Sequence, residues 1–470
     1  VESTRGNSCA GGEEYFDVAV VGGGPAGLRA AEVAAQNGAK VAVFDAKASV
    51  GRKFLVAGRG GLNLTHAEDD ALFVGRYRSS DDSAAEQSQE TRERWKRLIS
   101  VFGPKDLREW ATGLGVETFV ASTGRVYPRE LKAAPLLRRW VARLRALGVS
   151  FRMRHRLVDF VSGDVVRLEF EREKGAYEGV PPAISDAAER AGFRNGLSES
   201  PEAGPRIAVQ AGAAVLALGG ASWPETGSDG GWVALLQRKG VSVEPLRPAN
   251  CGWECRWPEE VVAACEGRPL KNVQVSAGGL SVRGELLVTR YGLEGGAIYA
   301  LSRALSEMES PALQIDFKPD STLESLVRRL GTARSNFLEE ARLRWRLDET
   351  TYALLFGLSQ KESFSTAENA ARRVKGCPIQ LIRPRPVAEA ISTLGGVSFS
   401  SINERLMLVE ESGVFVAGEM LDWEGPTGGY LLQGSFATGT QAGQNASERT
   451  GVRFNSRNID AQDKRESPRS

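Results

Sequence analysis

The stretch Asp17-Val-Ala-Val-Val-Gly22-Gly-Gly24-Pro-Ala-Gly27-Leu-Arg-Ala-Ala31 decides the fold. Its apolar run reads as a buried strand, broken by a glycine turn that passes directly into a helix. Gly22, Gly24 and Gly27 fit G-x-G-x-x-G. The first glycine permits the tight turn, the second lets a pyrophosphate approach the backbone, and the third lets helix and strand pack closely. Free N–H groups at the helix start favour an anion there. A second strand, Lys40-Val-Ala-Val-Phe44, ends in Asp45. An acid about 20 residues beyond the turn is placed to bind a ribose hydroxyl. A βαβ unit with a dinucleotide site is therefore predicted, against the alternative of a plain βαβ turn.

Outward from this unit, the bulk properties narrow the function classes. The chain has 470 residues, enough for two or three domains, and 41% of them are hydrophobic besides 53 glycines. A net charge of +1 gives no electrostatic argument for nucleic acid or an anionic membrane. The longest apolar run, near Gly212 to Leu218, is too short to span a bilayer. Neither a nucleic-acid nor a membrane partner is expected, and the oligomeric state is left open. Five cysteines, an odd number, do not form a disulfide framework and point to a reducing, cytoplasmic setting. An organellar matrix is compatible with a targeting segment lost from the N-terminus. Cys251, Cys255 and Cys265 lie close together, but with two histidines and no C-x-x-C pair no metal site is expected.

Further along, Gly51-Arg52-Lys53 and Gly58–His66 form a glycine-rich basic loop suited to a second phosphate contact. Residues 79–92 and 172–205 lose periodicity and are expected to be flexible inserts, and 1–14 and 448–470 disordered termini. Ala133–Leu147 reads as an amphipathic helix with its arginines in water. Gly212–Gly220 repeats the strand-to-glycine pattern, and Gly413–Glu419 does so again near the C-terminus, followed by a helix from Tyr430. Between them, β-branched alternation over 270–293 and helical patterns after 322 mark a separate region. The expected domains are 15–240, an inserted 241–385, and a return segment 386–447.

Seven segments occur together in one order: VVGGGPAGLRAAE, GRKFLVAGRGGLNLTH, RVYPRELKAAPLLRRW, LALGGASWPETGSDG, RPANCGW, VTRYGLEGGAIYALS and VFVAGEMLDWEGPTGGYLLQG. In these the chain resembles the BaiN-like flavoproteins related to the bile-acid-inducible reductases, over roughly residues 15–447. The resemblance implies an α/β fold with a glutathione-reductase-like, FAD-binding Rossmann domain and an inserted β-barrel-like plus helical domain. It implies FAD, held by Gly22, Gly24 and Gly27 at the pyrophosphate and Asp45 at the ribose. Arg52 and Lys53 would lie beside the dinucleotide, Leu157 at the adenine, and Gly58, Asn63, Leu64 and Thr65 near the flavin. Glu419, Asp422, Gly429, Tyr430 and Leu431 would close the flavin side. The chain departs from many relatives, with Gly61-Leu62-Asn63 where they carry Arg-Cys-Asn and Tyr430-Leu431 where they carry Tyr-Asn. The missing cysteine argues against thiol chemistry at the flavin.

The implied activity is an FAD-dependent oxidoreductase that passes electrons through flavin N5 to a small organic acceptor, with a conjugated C=C bond as the candidate. NAD(P)H is expected only as a transiently docked donor, because no second G-x-G-x-x-G follows a strand. A non-catalytic flavin-binding redox sensor or scaffold is the alternative. No catalytic acid is assigned: His66 ends the flavin-side loop, yet a histidine bonded to loop backbone is the favoured reading. Tyr127, Arg290 and Tyr291 are the other polar candidates.

Overall fold

The computed structural model describes residues 13–58, 60–178, 204–331, 333 and 336–451. Its central sheet is built on Glu14–Val21, whose Phe16, Val18, Ala19 and Val20 are wholly buried. An apolar run without alternation is what a parallel strand covered on both faces requires. Val41–Asp45 pairs parallel on one side, in register Val18 to Val41. Arg206–Leu216 pairs parallel on the other, in register Val18 to Ala213. The first residues of Ser150–Val161 extend the sheet beyond Val41–Asp45, and Val414–Val416 extends it beyond Arg206–Leu216, both parallel.

Two of these strands are long enough to serve a second layer. The far half of Ser150–Val161 turns back antiparallel onto Val166–Glu178, which pairs with the near half of Arg206–Leu216. This meander closes over one face of the parallel sheet. On the other face, the helix Pro25–Gln36 packs along the last helix, Tyr430–Arg449. The contact uses absent side chains: a Cβ on Gly439 would lie 2.3 Å from the Ala26 carbonyl oxygen, and one on Gly443 2.4 Å from that of Ala30.

Cys251 through Ala390 build a second hydrophobic core, separate from the one around the central sheet. Its seven-stranded antiparallel sheet runs in the order Cys377–Gln380, Ala312–Asp316, Pro269–Ala277, Leu280–Thr289, Gly292–Glu294, Trp253–Glu254 and Arg383–Pro384. The chain enters and leaves this region through one antiparallel pair, Val243–Ala249 with Ser392–Val397. Asn250, just past the entry strand, donates to the Gly425 carbonyl at 2.9 Å and so ties the second core to the loop before the last helix.

Several details differ from the expectations. Residues 79–92 are not a loose insert. Asp82 accepts from the Ser79 and Ser88 amides, and Ser88 caps the helix Gln89–Val101, so buried polar pairing replaces solvation. Within the helix Ala133–Ala146, Arg143 turns inward to a buried carboxylate instead of standing in water. The expected termini are trimmed, since Glu14 begins a strand and Arg449 ends a helix. Of the insert at 172–205, residues 179–203 lie outside the described residues, as do 1–12 and 452–470.

Candidate functional site

At the carboxyl ends of the parallel strands lies a groove of about 370 Å³, the edge where open α/β sheets bind ligands. Its floor is the glycine turn. Gly22 has φ +106°, and a Cβ there would stand 2.2 Å from the Ala217 carbonyl oxygen, so only glycine fits beside the neighbouring strand. Gly24 caps the helix without a side-chain bond, and nothing lies within 4 Å of where its Cβ would be. Among the described residues the Gly24, Ala26 and Gly27 amides have no hydrogen-bond partner, as the first N–H groups of a helix are left by its geometry. Gly27 is outside the groove. A Cβ on it would come within 1.9 Å of the Gly22 carbonyl oxygen, which makes it the close-packing position of the motif.

Asp45 ends its strand at the groove wall. One carboxylate oxygen accepts from the Gly23 amide and the other from the Lys47 amide, each at 2.7 Å. Burial raises this carboxyl above its ordinary range, opposed by those two backbone bonds. A carboxylate has about four acceptor directions, so each oxygen keeps one for a hydroxyl. Arg52 and Lys53 follow Gly51, which turns with φ +70°. The Arg52 Nε is buried in the groove wall without a protein partner. Lys53 donates to Glu419 at 2.6 Å and to Ser222 at 2.5 Å, and Glu419 also accepts from the Thr393 amide at 3.0 Å. Leu157 lines the opposite end, where neighbouring Arg156 faces Asp229 at 3.3 Å.

The groove thus gathers Gly22, Gly24, Asp45, Arg52, Lys53, Leu157 and Glu419. The remaining sequence-predicted residues divide between packing and a second polar cluster. Gly58 packs against Ala133, Leu64 is wholly buried, Leu431 packs against the main core, and Asp422 accepts from the Ser80 amide and hydroxyl at 3.1 and 2.6 Å. Asn63, Thr65, Gly429 and Tyr430 meet where the last helix begins. Gly429 has φ +104°, and its Cβ position lies 2.5 Å from the Thr65 backbone. The Asn63 Oδ1 and Thr65 Oγ1 are buried without partners. The Tyr430 hydroxyl donates to Glu68 at 2.6 Å, and Arg76 grips the same carboxylate. Burial opposes ionisation of Glu68, but the bonds from Arg76 and Tyr430 prevail and hold it below the usual value.

His66 stacks on Tyr430 and uses both ring nitrogens on backbone: Nε2 meets the Thr123 carbonyl at 3.0 Å, and Nδ1 accepts from the Glu68 amide at 3.2 Å. Neither nitrogen is open to a substrate. Arg290 pairs with Glu266, and the Tyr291 hydroxyl is bonded to Glu294. Tyr127 differs, because its hydroxyl makes no hydrogen bond among the described residues and its ring edge lies 3.8 Å from the Cβ position of Gly61. Ser228 and Trp232 escaped sequence reading as individual groove residues. Ser228 carries another buried, unpartnered hydroxyl, and Trp232 donates to the Gly219 carbonyl at 2.8 Å. The signal that could have found them is the glycine run after the second buried strand.

These features fit a dinucleotide. Buried polar atoms without partners are costly, and here Arg52 Nε and Ser228 Oγ flank a glycine cradle with open helix N–H groups. A sequence-family profile described as HI0933-like protein Rossmann domain matches residues 16–179 and 202–445. The chain is 25% identical to the 3-dehydro-bile acid delta(4,6)-reductase of Clostridium scindens, over 92% of this chain and 99% of that protein. It is 23% identical to the ribosomal RNA dihydrouridine synthase of Escherichia coli, over 90% and 96%. A solved 3-ketosteroid-delta4-(5alpha)-dehydrogenase from Rhodococcus jostii aligns with TM-score 0.47 at 17% identity, over 92% of this chain and 97% of that one. Among the described residues, no helix is long and apolar enough to cross a membrane.

Proposed function

The chain belongs to the HI0933-like Rossmann-domain family and is an FAD-dependent oxidoreductase, and from this premise we propose that it reduces a carbon–carbon double bond of a small organic acceptor, conjugated with a carbonyl. The observation that carries the reading is the groove itself, with unpartnered buried polar atoms beside a glycine cradle. The names of the bile-acid reductase and the dihydrouridine synthase both describe hydrogen added across a ring C=C bond, which supports the acceptor class.

In this reading the helix start at Gly24 and the Arg52 guanidinium hold the pyrophosphate, and Asp45 accepts from the ribose. Lys53 and Glu419, paired at 2.6 Å, join the first loop to the returning C-terminal segment and fix the groove's width. A bound flavin supplies two-electron chemistry that no side chain can. The chain's own part is orientation and proton supply. With His66, Tyr291 and Tyr430 each engaged by protein partners, we assign proton delivery to the Tyr127 hydroxyl, which makes no hydrogen bond among the described residues. NAD(P)H acts as a donor that docks transiently.

The test is anaerobic reduction of purified holoprotein, followed by a screen for acceptors that reoxidise it. The screen holds cyclic enones and a uridine-containing RNA, and reoxidation by enones is expected. Folded protein that neither carries nor takes up flavin refutes the reading. Reoxidation by the RNA alone overturns the small-molecule assignment. Redox-dependent partner capture with no turnover would favour the sensor.

A further inference from the structure

A second cavity, of about 750 Å³, shares no lining residue with the groove at the glycine turn. It lies among the helices Asp70–Val74, Gln89–Val101 and Pro104–Gly113, with His66 on one wall. Its floor is apolar. Val74, Ile99 and Val126 are buried side chains whose outer edges line it, and Ala67 and Ala71 stand exposed beside them, too small to fill the space. An apolar recess of this size with a polar rim has the form of a small-molecule site.

The rim decides the charge of the ligand. Exposed Arg92 and Lys105 and half-buried Arg108 line the cavity. Among the described residues the Arg92 and Lys105 side chains make no hydrogen bond or ion pair, and Arg108 has only the neutral Thr118 hydroxyl, 3.2 Å from its Nε. Other cations of the helix Gln89–Val101 are paired: Arg94 with Glu90, Lys96 with Glu93 and Arg97 with Glu404. The carboxylates that line the cavity are mostly committed. Glu68 is held by Arg76 and the Tyr430 hydroxyl, Glu93 by Lys96, and Asp106 accepts from the Gly103 amide and attracts Arg29. Asp70 is left, so among the described residues three unmatched cations face one unmatched carboxylate.

We propose that this cavity binds an amphiphilic organic anion, with a compact apolar body against Val74, Ile99 and Val126 and a carboxylate turned to Arg92, Lys105 and Arg108. Water alone solvates exposed cations well, so the rim by itself retains no simple ion. The apolar body supplies binding by leaving water for the floor. The carboxylate then adds charge-assisted hydrogen bonds at the rim. Both parts are needed, and together they select the ligand. The site goes beyond the reading of the acceptor and holds whichever acceptor the flavin serves.

The test uses naphthoate, ionised at neutral pH, with naphthamide as its neutral counterpart and inorganic phosphate as an anion without an apolar body. Each is titrated by calorimetry into FAD-loaded protein, so that the first groove is filled. Wild-type protein should bind naphthoate about tenfold or more tighter than either control, and added salt should weaken that binding. Arg92→Gln and Lys105→Gln together, both at exposed positions, should bring naphthoate down to the level of naphthamide. Ala71→Trp, also at an exposed position, fills the recess and should abolish binding of both organic probes. Thermal melts that match wild type confirm that the variants fold. No naphthoate binding by wild type overturns the proposal, as does equal affinity for naphthoate and naphthamide. Phosphate binding as tight as naphthoate overturns it by showing a simple ion site. Naphthoate affinity unchanged in either variant overturns it by placing the probe elsewhere.

Discussion

Two glycines of one motif should fail in different ways when replaced by alanine. At Gly27 the new methyl would stand 1.9 Å from the Gly22 carbonyl oxygen. It must back off by more than an ångström against strand backbone that cannot rotate away. Overpacking of this kind costs about 1–3 kcal/mol, and a rigid neighbour puts it at the upper end. Alanine returns about 1 kcal/mol of helix propensity, leaving a net loss of roughly 2 kcal/mol. At Gly24 nothing lies within 4 Å, and φ −79° is comfortable for alanine. The fold should lose no more than about 1 kcal/mol, from exchanging glycine for alanine at the helix cap. The methyl instead projects into the groove where a pyrophosphate would approach. A loss of FAD affinity of about 100-fold corresponds to about 2.7 kcal/mol. Thermal melts of the apoprotein and FAD titrations of each variant separate the two effects. Gly27→Ala should melt lower, whereas Gly24→Ala should melt near wild type yet bind FAD far more weakly. The reasoning is refuted if Gly24→Ala binds FAD like wild type, or if it destabilises the apoprotein as much as Gly27→Ala does.

Other expectations follow from the same geometry. Glu32 is 0% exposed and accepts from Arg29, Trp110, Trp140 and Arg143 at 2.8–3.1 Å. Glu32→Ala strands buried cations and should cost about 3–5 kcal/mol, with Glu32→Gln costing less; chemical denaturation that ranks them equally would count against the network. Tyr127→Phe should lower turnover about 100-fold or more if its hydroxyl delivers the proton, with flavin content unchanged, and unchanged turnover removes it from that role. Glu68 has a folded-state value held below its unfolded one of about 4.3. Its stabilisation is therefore present above that value and is lost as pH falls through the lower folded value. The stability gap between wild type and Glu68→Gln, about 1 kcal/mol for a partly exposed pair, should be constant near neutrality and close below about pH 4. A gap that instead widened with acid would contradict that sign.

Local rules made the parallel strands, the glycine turn and Asp45 legible, because each follows from chain neighbours. An unbroken apolar run must be covered on both faces, a positive φ needs glycine, and an acid at a strand's end points along the sheet edge. The strand expected at the head of Gly212–Gly220 formed for the same reason, as the end of Arg206–Leu216. Residues 79–92 misled, since a polar composition looks solvated whether its carboxylates face water or, like Asp82, cap buried backbone amides. Periodicity placed Arg143 on a helix, but whether it met solvent or Glu32 depended on a helix more than a hundred residues away.

What the sequence determined by itself was thus the βαβ unit, the order of strands and helices, and the kind of ligand that a glycine turn accepts. What only the tertiary structure decided was which of the candidate residues share a site. Lys53 and Glu419 meet across 366 positions, and the Cβ position of Gly429 lies 2.5 Å from the backbone of Thr65, a residue from the far end of the chain. That convergence depends on Gly439 and Gly443 letting the last helix settle on the first. Long-range proximity is set by packing of whole elements, and no spacing along the chain encodes it.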